Sequence, residues 1–215
     1  PSSDHMFWSS GLDENGRPLV NENARPQKEP GDPVCPGLAG GNNGAWTYAY
    51  NPLKKLMFVP TVESCMPVFK EDIVYVQATP FWGGGPTTPE ADDGSAYGFI
   101  AAIDPAGGTI KWKHRSEHPF AAGALATGGG LVFSGDQEGN ALALDDSSGK
   151  LLWKFQTGSA VRNQPITWKA DGRQYVAIGS GMGGLVPQLT GKPENVNRGG
   201  ALIVFAVPDT KWFWE

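Results

Sequence analysis

Few side chains in this sequence combine a reactive type with a useful spacing. Cys35 and Cys65 are the two thiols of the chain. Two thiolates alone cannot build a structural zinc site, and no C-x-x-C-H is present to attach a haem. The pair is therefore either two buried free thiols or one disulfide. A disulfide would close a loop of about 30 residues, stabilise by roughly 3–4 kcal/mol in the chain-entropy picture, and imply an oxidising compartment. His114 and His118 stand four apart, a spacing that binds a metal only where a helix presents both rings. The intervening Arg-Ser-Glu and the following Pro119 predict a strand end and a loop, with both histidines solvated. The run "GSGMGG", Gly179–Gly184, matches G-x-G-x-x-G formally. Leu185-Val186-Pro187 then starts no helix whose N-terminus could hold a pyrophosphate. "PEADDG", Pro89–Gly94, lacks the alternating ligands and closing Glu of a calcium hand and reads as a solvated loop. There is no G-x-S-x-G nucleophile elbow.

The elements that must position any site are short strands. Of 215 residues, 30 are Gly, 18 Pro and 8 Trp, a mixture that favours many strands joined by tight turns. No amphipathic helical pattern of ten residues or more emerges. The net charge of −5 gives no sign of a nucleic-acid partner, and no apolar run is long enough for a transmembrane segment. The 40% hydrophobic content supports a packed core in one or two domains. The chain begins at Pro1, with neither an initiator Met nor a signal peptide. That start suggests a processed chain or a fragment.

One pattern is written twice. "AAIDPAGGTIKW" (Ala101–Trp112) and "LALDDSSGKLLW" (Leu142–Trp153) share Ala-x-Asp-x-x-x-Gly-x-x-x-Trp. Their aspartates, Asp104 and Asp145, lie 41 positions apart (145 − 104). A period near 40 residues raises the question of a repeat architecture. Between the repeats, Ala124–Thr127, Gly130–Gly135, Ala141–Asp145 and Lys150–Gln156 read as four antiparallel strands, the content of one propeller blade. Each Asp closes a strand, where its carboxylate can accept N–H groups of the following turn. Gly108 and Gly149 suit a positive φ in that turn. Trp112 and Trp153 fall on the outer strand, where a ring can pack on the next blade while its N–H finds a carbonyl.

A third unit follows, with a strand, an Asp171-Gly172 turn, a second strand, a long loop over Gly181–Gly199, and a third strand at Gly200–Val207. It lacks a fourth strand. An earlier, weaker unit is read at Ala49–Pro60, with Asn51 in the Asp place. The expected fold is all-β: roughly four W-motif blades, some partial, of a larger β-propeller. Open blade edges are an aggregation liability, so more chain or a partner chain is expected. "TPFWGGGPTTPE" (Thr79–Glu90) reads as an inter-strand loop packing Phe81 and Trp82 on the propeller edge; the functional alternative places it near a substrate funnel.

The repeat motif resembles the docking motif of the quinoprotein alcohol dehydrogenases, eight-bladed propellers that use pyrroloquinoline quinone (PQQ). The similarity extends through "CPGLAGGNN…YNPLKKLMFVPTVESC" (Cys35–Cys65), "FAAGALATGGGLVFSGDQEGNALALDDSSGKLLWKF" and "QYVAIGSGMGG", in order. The family's members are much longer. The resemblance therefore implies that residues 1–215 are the C-terminal portion of a single propeller domain.

Several assignments follow from the resemblance alone. It implies a Cys35–Cys65 disulfide. It implies that Asn43, eight positions after the first Cys, contacts PQQ, with one extra residue between Asn43 and Tyr50. The family's L-W-G-G-V-L-A-T or W-N-G-G-V-L-A-T becomes "FAAGALAT", placing Ala121 where the family has Trp or Asn. Its G-G-W or G-G-A becomes "GGL", placing Leu185 at the cofactor side. These departures imply a differently shaped pocket. The family's catalytic Asp, the ligands of its calcium or lanthanide ion and the floor under the cofactor belong to the N-terminal portion, so no catalytic or metal residue is assigned here. The resemblance implies a periplasmic enzyme oxidising a small alcohol, with a cytochrome c acceptor. The segment alone should be inactive, needing the missing N-terminal blades from the same or another chain. The alternative is a non-enzymatic W-motif propeller serving as a protein-assembly scaffold. Scaffold propellers of that kind lack the Cys–Asn–Cys segment.

Overall fold

The structure is a computed structural model; it describes residues 4–36, 41, 47–78, 83–86, 96–120, 122–181 and 199–207. Among these, the regular structure is strand throughout, apart from one short 3-10 turn at Glu22–Ala24. β1 (Ser9–Leu12) and β2 (Pro18–Val20) form an N-terminal ribbon. The first blade-like sheet holds β3 (Ala49–Asn51), β4 (Leu56–Glu63), β7 (Tyr97–Asp104) and β8 (Thr109–Ser116), in that spatial order. Its middle connection carries a second ribbon, β5 (Val68–Lys70) with β6 (Gly84–Pro86).

The second sheet holds β9 (Leu125–Ala126), β10 (Leu131–Gly135), β11 (Asn140–Asp145) and β12 (Leu151–Gln156), each antiparallel to the next. These are the four strands expected from the repeat, with four ends trimmed by one residue and β11 starting one residue earlier. The third sheet holds β13 (Ile166–Ala170), β14 (Arg173–Gly181) and β15 (Gly200–Ala206). Three strands follow the expected pattern, with Asp171-Gly172 turning at positive φ of 48° and 79°.

Two expectations are corrected. The segment Ala49–Pro60 is not an earlier blade. It supplies the first two strands of the blade that Asp104 closes, because β4 pairs along its length with β7, from Met57–Ile103 to Glu63–Tyr97. Asn51 makes the expected local turn, accepting from the N–H groups of Leu53 (3.0 Å) and Lys54 (3.3 Å), at a different corner of the blade. The second correction lies in Thr79–Glu90, where Gly84–Pro86 is strand. The pair Phe81 and Trp82 lies outside the described residues, as does Pro89–Gly94.

The sheets stack face to face, and strand alternation divides their side chains between two seams. Phe58, Ile100 and Ala102 of the first sheet meet Val132, Leu142 and Leu144 of the second. On the other face of β11, Ala141 meets Val161, Val176 and Ile178 of the third unit. Each large apolar side chain buried this way contributes about 1.5–3 kcal/mol. The run of Ala101, Ala102, Ala141 and Ala143, all buried, keeps the facing strands thin enough to approach.

Candidate functional site

The two ends of the sheets do different work. At one end the third strand turns into the fourth, and there the repeat motif acts. Asp145 Oδ1 accepts from the N–H groups of Ser147 (3.0 Å) and Ser148 (2.8 Å) and from the Ser148 hydroxyl (2.8 Å). These bonds, the Ser148 hydroxyl first, hold its carboxyl below the usual carboxylate range. Asp104 does the same with Ala106 (3.0 Å) and Gly107 (3.4 Å), and is lowered in the same direction. Gly108 and Gly149 follow at φ of 64° and 71°.

Trp112 on β8 reaches the second sheet. Its Nε1–H donates to Asp146 O at 3.1 Å, and its ring covers Gly149 so closely that a Cβ there would lie 2.5 Å from Cε3. Asp146 is buried and accepts from Asn51 Nδ2 at 3.0 Å and from the Lys54 ammonium. His114 Nδ1 lies 3.0 Å from Gly149 O, so the neutral ring carries its proton on Nδ1. This corrects the sequence expectation for His114. It sits within β8 and is half-buried, and burial pulls its pKa below the ordinary histidine value. His118 lies beyond the strand, its Nδ1 3.6 Å from Glu138. Trp153 meets the third sheet differently, with its ring edge-on to Phe205 at 4.9 Å.

The opposite end, where each first strand starts and each second strand ends, holds the segments expected to line a pocket. Asn43, Ala121 and Leu185 themselves lie outside the described residues; the flanks that carry them do not. Cys35 and Cys65 are disulfide-bonded with Cα atoms 4.4 Å apart. The bond ties the segment before Asn43 to the end of β4. Two antiparallel bridges reinforce it, Val34 with Met66 and Gly41 with Val62. The Gly41 N–H donates to Val62 O at 2.6 Å and the Val62 N–H to Gly41 O at 3.1 Å. The far side of Asn43 is held by Thr47, whose carbonyl accepts from the Ala124 N–H at 2.8 Å. Gly123 is pressed between Thr47 Oγ1 and Gln164, with 2.3 Å and 3.0 Å from an ideal Cβ. Any larger residue there would push the neighbours of Asn43 and Ala121 apart.

Gln164 reaches the same place, its Nε2 donating to Ala124 O at 3.2 Å. Four residues earlier, Ala160 O accepts from the Gly181 N–H at 2.8 Å, and Val161 bridges Ser180. Gly181 is the last described residue before Leu185. The segment 160–164 thus touches the roots of both the Ala121 and the Leu185 segments. Within it, sequence reasoning missed Arg162. Its Nε is buried with no hydrogen-bond partner among the described residues, and burial lowers its pKa. A buried donor left unsatisfied costs about 1–3 kcal/mol. A lone Arg in the mixed stretch "SAVRNQP" gives no sequence signal that could have found it. Among the described residues, no three His, Cys, Asp or Glu side chains gather as a metal site would require.

A family profile described as "Outer membrane protein assembly factor BamB" matches residues 96–191. Over 220 residues the chain is 37% identical to the quinoprotein alcohol dehydrogenase PedH of Pseudomonas putida, covering 97% of this chain and 36% of the relative. It is also 37% identical to the 1-butanol dehydrogenase (quinone) of Thauera butanivorans, over 97% of this chain and 35% of that one. Among solved structures, a europium-containing methanol dehydrogenase superposes with a TM-score of 0.81 at 28% identity, covering 94% of this chain and 40% of that one. The chain therefore spans little more than a third of these curated relatives' length, and it belongs to the quinoprotein alcohol dehydrogenase family of β-propellers.

Proposed function

We propose that this chain is the C-terminal portion of the propeller of a periplasmic PQQ-dependent alcohol dehydrogenase, supplying blades and one wall of the cofactor pocket. The observation that carries the reading is the in-order similarity of nearly the whole chain to quinoprotein alcohol dehydrogenases. The disulfide supports it, because the Cys35–Cys65 segment lies outside residues 96–191, the stretch that the assembly-factor profile matches. That profile favours the rival reading, a scaffold propeller, only over the repeats that both kinds of protein share.

The residues at the pocket end fit a flat, acidic, carbonyl-bearing cofactor. Arg162 brings an unpaired Nε donor, and the resemblance adds the Asn43 amide. When bound, PQQ would supply the two-electron redox chemistry of alcohol oxidation, with a calcium or lanthanide ion. The chain's own part is to bind and orient. Asn43 would hold the quinone, from a segment whose flanks are tied down by the disulfide and by Thr47. Ala121 stands where the family carries Trp or Asn, and Leu185 where it carries Trp or Ala, so both would reshape the pocket. The remaining blades, the catalytic Asp, the metal ligands and the cytochrome c contact belong to the longer protein.

The open faces agree with missing blades. The outer face of the third sheet leaves Ile166, Trp168, Leu202 and Val204 40–72% exposed. The direct test is acid extraction of the intact protein with absorbance and mass detection of PQQ. One quinone per chain is expected, with weaker binding in Asn43→Ala. No quinone after reconstitution with PQQ and calcium would leave the scaffold reading.

A further inference from the structure

The PQQ reading gives the 160–164 segment only a supporting part, yet its most unusual group is chemical. Arg162 sits between Val161, which is buried against the second sheet at Gly135, and Asn163, which packs on Gly179. Val161 is buried and Asn163 is exposed. Arg162 has a buried, unpartnered Nε and no ion pair among the described residues. A guanidinium is a rigid fork of donors that matches a carboxylate. Arg162 as a whole is only half-buried, but its Nε is shut off from water and has no partner among the described residues, so the fork has a donor left for an anion.

The location adds a second, independent argument. Through Gln164 the segment holds the root of Ala121, and through Ala160 and Val161 it holds the root of the Leu185 segment. Arg162 therefore stands at the end of the sheets where three consecutive first-strand entrances converge, away from the Asp–Gly–Trp turns. The family motifs that place Asn43, Ala121 and Leu185 include no residue at this position.

We infer that Arg162 is a further binding residue of the pocket, donating to a carboxylate of the bound ligand. This rests on the PQQ reading above. The carboxylate has two sources. PQQ is itself a polycarboxylic acid, and a hydroxy-acid substrate would bring its own carboxylate.

The test uses the intact protein, Arg162→Gln and Arg162→Lys, each checked for unchanged circular dichroism and melting. PQQ binding to the cofactor-free protein is followed by equilibrium dialysis at low and high salt. In parallel, KM is measured for a neutral primary alcohol and for the hydroxy acid of equal chain length. If the cofactor's carboxylate is held, Arg162→Gln weakens PQQ binding by roughly ten- to a hundredfold. Arg162→Lys then recovers part of the loss, and the KM ratio stays put. If the substrate's carboxylate is held, PQQ binding is unchanged and KM rises by a similar factor for the hydroxy acid alone. Normal PQQ binding in parent and variants, with no change in either KM, overturns the role of Arg162 and leaves the dehydrogenase reading standing. A parent protein that takes up no PQQ overturns the reading itself, and the inference with it.

Discussion

The Asp104–Gly108 turn and the Asp145–Gly149 turn share a motif and a backbone but not a setting. Both aspartates accept from the N–H groups two and three residues on, and both glycines sit at a φ within a few degrees of the other, 64° and 71°. Gly149 is roofed by the Trp112 ring, and its neighbour Asp146 is buried and paired with Asn51 and the Lys54 ammonium. Gly108 has no described residue within 4 Å of where its Cβ would be. The turn is thus a local device that folds on its own hydrogen bonds. Its glycine is half of a socket, whose worth depends on a tryptophan from the adjacent blade. Among the described residues one socket is filled and one is open.

The largest expected effect comes from emptying the filled socket. Trp112→Ala removes the ring and the Nε1 bond to Asp146 O, and should cost about 3–5 kcal/mol in urea unfolding. Gly149→Ala follows, at about 2–4 kcal/mol, because a Cβ both overpacks the ring and strains a left-handed residue. Gly108→Ala should cost only about 1–2 kcal/mol in these 215 residues, from strain alone. In the longer protein its cost should rise to that of Gly149→Ala, if a preceding blade brings its own tryptophan. Equal, small costs at Gly108 in both settings would break the comparison and argue against a docked blade there.

Acid should separate the turns more gently. His114 touches Gly149 O, and burial lowers its pKa in the folded state. Between the two pKa values the unfolded chain binds more protons, so stability falls as pH drops below about 6.5, the unfolded value. Urea midpoints from pH 8 to pH 5 should decline, and His114→Gln should flatten that decline. The smallest effect belongs to the aspartates. Both are lowered by their turn hydrogen bonds, so their contribution is complete above the ordinary carboxylate pKa and fades only as pH falls below it. Asp104→Asn, which keeps an accepting oxygen, should move the midpoint little and remove that acid step.

Much of the architecture was legible because its signals are local. Strand, turn and strand from Leu125 to Gln156 follow from apolar runs broken by Gly139 and Gly149, and the structure reproduces them. The error at Ala49–Pro60 has a physical cause. An Asx turn looks the same after the first strand of a blade as after the third, and only the pairing of β4 with β7, across an insertion of more than thirty residues, reveals which corner it occupies. His114 was misplaced for a related reason. Its alternation with Trp112 along β8 gave a half-buried face, but the covering surface comes from the Gly149 turn, 35 residues on.

The candidate site divides along the same line. Asn43, Ala121 and Leu185 were reached through motif resemblance, and the Cys35–Cys65 pairing with them. Arg162 was not, since its type and its neighbours in sequence are ordinary. Local chemistry is written in the chain: which residues turn, which glycines need a positive φ, which face of a strand is apolar. What lies opposite a residue is not, because stacking is set by contacts between segments far apart in sequence. That is why the repeat, its turns and its tryptophans could be read from the amino acids. The filled socket at Gly149, the open one at Gly108 and the unpaired Arg162 Nε became visible only when the sheets were packed together.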